Sequence, residues 1–139
     1  MAKRKQAEKA LLESEEKYRE LFNNANDAIF LWEWTKQGTL GRCIEVNDIA
    51  CQMYGYSRDE FLKLTPNDLT AQESAQQIPG ITKMLLENRH ATFELIDLAK
   101  GGIRIPVEIS SHLFALGEKT VLLSIVRDIT DRKRADEAL

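Results

Sequence analysis

The sequence predicts an α+β domain, an antiparallel sheet with helices gathered on one face. Three observations carry that expectation. Segments of helical and strand character are segregated, in the order helix, two strands, several short helices, three strands, helix. Glycine-bearing turns divide the strand segments, at Gly38 to Gly41, at Lys100-Gly101-Gly102 and at Gly117-Glu118. Helix-start signals crowd the middle of the chain, between the two groups of strands.

The first element is a helix. Ala7, Leu11, Ser14, Tyr18 and Leu21 recur at alternating spacings of four and three, the rhythm of a coiled-coil seam. Arg4, Lys5, Glu8, Lys9, Glu15, Glu16 and Lys17 fill much of the remaining surface. The seam is short and contains Ala and Ser, so the helix needs a partner, either a second chain or its own domain. Asn23 to Asp27 ends it. Ala28 to Trp34 then reads as a strand apolar on both faces, and Arg42 to Val46 as a second strand, the two forming a hairpin.

Several short helices follow. Asn47 caps one that holds Ile49, Ala50, Met53 and Tyr54, and Gly55 ends it. Ser57-Arg58-Asp59-Glu60 is a capping box. Thr65-Pro66-Asn67-Asp68 puts proline at the first helical position, where its missing N–H costs nothing. Thr70-Ala71-Gln72-Glu73 repeats the capping-box pattern. Its helix is expected to break near Pro79-Gly80 and resume with Ile81, Met84 and Leu85 on one face. Strands are expected over Ala91 to Leu98, Ile103 to Phe114 and Val121 to Val126. Beyond them, Asp128 and Thr130 sit where the last strand hands over to a final helix, with side chains suited to capping it.

The two ends resemble each other. Arg4-Lys5-Gln6-Ala7-Glu8-Lys9-Ala10-Leu11 aligns with Arg132-Lys133-Arg134-Ala135-Asp136-Glu137-Ala138-Leu139, with five of eight residues identical at an offset of 128. That offset is about one domain plus one linker, as expected of one unit from a series. The organisation read from this is a helical connector over 1–22, a globular domain over 23–130 and the start of a second connector over 131–139.

With 139 residues, 43% apolar and 29% charged, the chain suits one globular domain. Its net charge of −3 offers nothing to nucleic acid or an anionic membrane, and no apolar run is long enough to span a bilayer. A cytoplasmic location is expected. Cys43 and Cys51 are read as reduced, partly buried thiols. There is no Gly-rich phosphate loop and no Cys/His set with metal spacing, so neither catalytic residues nor a metal site is expected.

Three motifs together carry a family resemblance. Asn47 through Gly55-Tyr56-Ser57-Arg58-Asp59-Glu60-Phe61-Leu62 resembles the central run of PAS domains, and Asp128-Ile129-Thr130-Asp131-Arg132-Lys133 is similar to their closing motif. Ser14 through Phe22 looks like the helix that leads into many of them. Lys100-Gly101-Gly102 departs from the family by lacking the usual aspartate of its hairpin. The resemblance implies a PAS fold: a five-stranded antiparallel sheet in spatial order 2-1-5-4-3, with short helices enclosing a small pocket and an amphipathic N-terminal helix. It also implies a sensory, non-enzymatic module of a multidomain signalling protein, foremost a sensor histidine kinase and next a cyclic-dinucleotide protein.

By that analogy Ile29, Leu31 and Val46 are expected to point from the sheet into the helix-side pocket, facing Ala50, Tyr54, Met84 and Leu85. Phe30, Trp32 and Trp34, of opposite parity, then form an aromatic stripe on the outer face. Together with Leu11, Tyr18 and Leu21 they are the expected face of a homodimer. Haem and non-covalent flavin are not expected. His90 falls at a helix-to-strand junction and His112 shares a face with Glu108, while Thr65-Pro66-Asn67-Asp68-Leu69 lacks the cysteine of the photosensing subgroup. An unidentified small molecule in the pocket, and neighbouring PAS or kinase domains of the same chain, are the partners implied. Asp128 and Thr130 are the expected coupling residues. The competing expectation is a ligand-free dimerisation spacer in a tandem array.

Overall fold

The structure is a computed structural model that describes residues 2–23, 25–38 and 40–138, with the side chains of all these except Tyr18 and Leu21. A helix α1 (Ala2–Asn23) leads into the hairpin β1 (Ala28–Trp34) and β2 (Leu40–Val46). Short helices α2 (Asp48–Tyr54), α3 (Arg58–Phe61) and α4 (Pro66–Leu69) follow, then a 3₁₀ turn (Gln72–Gln77) and α5 (Ile78–Asn88). Three long strands, β3 (His90–Ala99), β4 (Ile103–Leu116) and β5 (Lys119–Asp128), precede α6 (Thr130–Ala138). All neighbours are antiparallel, in the order β2-β1-β5-β4-β3.

Local chemistry explains the helical middle. The Asn47 side chain accepts from the Ala50 N–H, and Gly55 closes α2 at φ 79°, a left-handed conformation that glycine adopts without strain. Ser57 and Glu60 form their capping box, and Pro66 opens α4. The Thr70 expectation fails. Thr70 pairs with Asp97 as an isolated antiparallel bridge, the Ala71 N–H donates to Ile96 O at 2.9 Å, and the Thr70 hydroxyl donates back to Pro66 O. The 3₁₀ turn that follows starts one residue later, from Ala71, and the Thr70 hydroxyl is turned back to α4, so Thr70 does not cap it. Pro79 does not break a helix either. It lies in the first turn of α5, where its lost donor has no intrahelical partner to miss.

The core lies between the sheet and these helices, and it corrects the predicted face of β1. Ala28, Phe30 and Trp32 are buried there, while Ile29 and Leu31 are half-buried on the opposite face. Trp34 shares the parity of Phe30 and packs half-buried against the core. The aromatic residues are therefore the inner row. The reason is packing: the rings of this row meet aromatic side chains from α2 and α3. Phe30 meets Tyr54 and Phe61 edge-on at 5.5 and 5.4 Å and stacks on Trp32 at 5.3 Å.

Val46, register partner of Phe30, is fully buried as expected. Met84 is not a core residue. It is 40% exposed, one step of about 100° round α5 from Leu85, which with Ile81 faces the sheet.

The N-terminal helix does not cover the sheet. Its described side chains are exposed up to Arg19 and beyond, Leu11 by 62%, and only Phe22 at its end is buried. The outer sheet face is left with half-buried Ile29, Leu31, Leu123 and Ile125, in register across β1 and β5. Among the described residues no helix is long and apolar enough to cross a membrane.

Candidate functional site

A cavity of about 70 Å³ lies between the inner face of the sheet and helices α4 and α5. Alternation along the strands supplies its walls: Phe30 and Trp32 from β1, Phe93, Leu95 and Asp97 from β3, Ile109 and Ser111 from β4, and Leu122, Ser124 and Val126 from β5. Leu69, Ile78, Ile81 and Leu85 close the helical side, and Tyr54 enters from the end of α2.

Two polar pairs interrupt this apolar lining. The Tyr54 hydroxyl donates to Asp97 Oδ2 at 2.5 Å, with the two side chains 1% and 5% exposed. Across the sheet, the Ser111 and Ser124 hydroxyls bond each other at 2.9 Å, so both are satisfied without water. Burial pushes the Asp97 carboxyl up to about 6, against the opposing pull of the Tyr54 hydrogen bond. Burial, the Asp97 charge and the bond to it hold the Tyr54 phenol well above its usual range, and Asp128 adds to the same push. The cavity therefore contains one buried carboxylate whose described hydrogen-bond partner is a phenol.

Each connector is tied to the domain beside this core. At the N-terminal side the hub is Asn47, fully buried. Its Nδ2 donates to Phe22 O at 2.9 Å and Asp27 O at 3.0 Å, while its Oδ1 accepts from the N–H groups of Ile29 and Ala50. One amide thus binds the end of α1, the start of β1 and the start of α2. Arg58 donates to Val46 O and pairs with Asp48 beside it.

At the C-terminal side, Asp128 continues the β5 row Leu122, Ser124, Val126, and its Oδ1 accepts from the Thr130 N–H at 2.8 Å and from the Thr130 hydroxyl. The Ile129 N–H donates to Pro106 O, and Ile129 itself is buried. Beyond that, α6 buries nothing. It is held by half-exposed pairs of Arg132 with Glu94 and Glu108, and of Lys133 with Glu94 at 2.9 Å. Pairs so placed contribute about 1 kcal/mol or less each. The helix is docked firmly at one point and weakly along its length.

Of the expected pocket residues, Tyr54 and Leu85 line the cavity. Val46 and Ala50 are buried in the surrounding core, Ile29 and Leu31 are on the far face, and Met84 turns outward. Of the expected dimer face, Phe30 and Trp32 are interior, Leu11 is exposed, and the side chains of Tyr18 and Leu21 lie outside the described residues. Asp128 and Thr130 bond each other as the cap. Asp97 escaped the sequence reading, although it shares the parity of Phe93 and Leu95, an acid on an otherwise apolar row. The bridging role of Asn47 also escaped it, since a helix cap accounts for that residue locally. His90 and His112 are cross-strand partners on the outer face, rings 6.1 Å apart, and neither lines the cavity.

A family model described as PAS domain matches residues 15–131. A methyl sulfide methyltransferase-associated sensor of Methanosarcina acetivorans is 32% identical over 133 residues, covering 96% of this chain and 13% of that protein. Sporulation kinase E of Bacillus subtilis is 29% identical over the whole chain, which spans 18% of it. Among solved structures, the PAS domain of an HTR-like protein from Haloarcula marismortui superposes with a TM-score of 0.75 at 26% identity, covering 90% of this chain and 99% of that one.

Proposed function

The chain belongs to the PAS family, and we propose that it is the signal-sensing and dimerising module of a multidomain signal-transduction protein, a sensor histidine kinase. In this reading the module performs no catalysis. It sets the disposition of its terminal helices according to the state of its core. The observation that carries the reading is the continuity of one strand row. Leu122, Ser124 and Val126 line the cavity, and the next residue of the same parity, Asp128, exposed at the end of β5, caps α6. A change in cavity contents that moves β5 moves the cap, and the weak pairs along α6 let the helix follow. A ligand biases this equilibrium only by binding the two arrangements unequally.

Resident haem or flavin is no part of this reading. Among the described residues the cavity lining has no His or Cys to ligate or attack a cofactor, and about 70 Å³ is well short of the several hundred Å³ usual for cofactor-sized ligands. The homodimer is supported by the uncovered outer face and by exposed Leu11 and Leu12 on a helix about 33 Å long.

The small cavity also favours a second reading, a ligand-free dimerisation spacer. The coupling test separates them. In a chain that carries the downstream kinase, Asp128→Ala is expected to leave the fold intact and uncouple autophosphorylation from the signal. Unchanged signalling overturns Asp128 as the coupling point and withdraws the observation that favours the sensor over the spacer.

A further inference from the structure

The sensing reading leaves open what the cavity takes. We propose that it binds a small organic cation of the methylated-ammonium class, seated on the Asp97 carboxylate within the rings of Phe30, Trp32, Tyr54 and Phe93. This deepens the proposed function and rests on it.

Several features converge. The carboxylate is 5% exposed, and among the described residues it forms no ion pair, the eight found all being made by other groups. A buried charge without a counter-charge is costly, and a cationic ligand supplies one. Burial pushes the Asp97 carboxyl up to about 6, and a cation seated beside it favours the ionised form. The Tyr54 hydroxyl is committed to Oδ2 and holds the carboxylate in place.

Four aromatic side chains line the same space, and aromatic faces attract cations most strongly where water is excluded. Among the described residues the lining contains no Lys, Arg or His to compete for the carboxylate or to recruit an anion. A bare metal ion is poorly served, because one carboxylate and two mutually bonded serines fall short of the oxygen ligands that Ca²⁺ or Mg²⁺ requires. The size points the same way. A cavity of about 150 Å³ accommodates benzene, so about 70 Å³ suits a ligand of only a few heavy atoms.

The test uses the 139-residue chain, titrated calorimetrically and by NMR of the Trp32 indole N–H. Trimethylammonium chloride is the probe, tert-butanol, a neutral molecule with the same three methyl groups, the comparison, and sodium chloride the ionic-strength control. Saturable binding of trimethylammonium at least tenfold tighter than tert-butanol, with the Trp32 signal shifted, is expected. Asp97→Asn is expected to weaken the cation at least tenfold and leave tert-butanol unchanged. If Asp97→Asn fails to fold, the wild-type preference for the cation over tert-butanol decides. Equal or tighter binding of tert-butanol, or a cation response unaltered in Asp97→Asn, overturns the cation while the cavity remains a sensing pocket. Binding of neither probe overturns both.

Discussion

Asp97 titrates in a way that isolates its burial. Its folded-state carboxyl is pushed up to about 6, above an unfolded value of about 4. The folded protein therefore holds the proton more tightly between those values, and the stabilising contribution is full below about pH 4 and lost as pH rises through about 6. About two pH units correspond to roughly 3 kcal/mol. Asp97→Asn keeps an acceptor for Tyr54 and removes the charge. The variant is expected to gain about 3 kcal/mol on the wild type between pH 4 and pH 8, read from urea unfolding at each pH. A constant difference between the two proteins would contradict a buried, ionising Asp97.

Asn47 makes the second residue-scale prediction. Asn47→Ala strands several buried backbone groups at once, each costing about 1–3 kcal/mol. A loss of 3 kcal/mol or more is expected in urea unfolding, with fast hydrogen exchange at the Ile29 amide. Neither the role of Asp97 nor the bridging role of Asn47 was legible from sequence, because both depend on partners 18 to 43 positions away. Local caps, by contrast, were legible: the Ser57 box, Gly55 and Pro66 act within their own turns.

At the scale of elements, β1 shows how a face can be misread. Every residue from Ala28 to Trp34 except Glu33 is apolar, so hydropathy alone does not choose a side. Glu33 does choose: it shares parity with Ile29 and Leu31, and that row faces outward. Trp32→Glu is accordingly expected to unfold the domain, losing its cooperative transition in circular dichroism melts. Leu31→Glu on the same strand is expected to melt within a few degrees of wild type. The exit helix is the other element with a sharp expectation. Asp128→Ala removes one cap, about 1 kcal/mol, and is expected to raise hydrogen exchange across Thr130–Ala138 while the sheet stays protected.

For the whole molecule, sheet order and helix placement followed from the family motifs, and the two connector copies are both helical over their described residues. What covers the outer face did not follow, because the described side chains of α1 before Phe22 are exposed and leave that face uncovered. Leu31→Glu with Ile125→Glu is expected to convert a dimer to a folded monomer in sedimentation velocity. A monomeric wild type would remove that face from the interface.

The relay from cavity to connector is tested most directly by hydrogen exchange, resolved by peptide, on the wild type, Tyr54→Phe and Asp97→Asn. The relay predicts altered protection in β5 and through Asp128 into α6, at a distance from either substitution. Changes that stop at α2 and β3, with α6 exchanging as in the wild type, would contradict it.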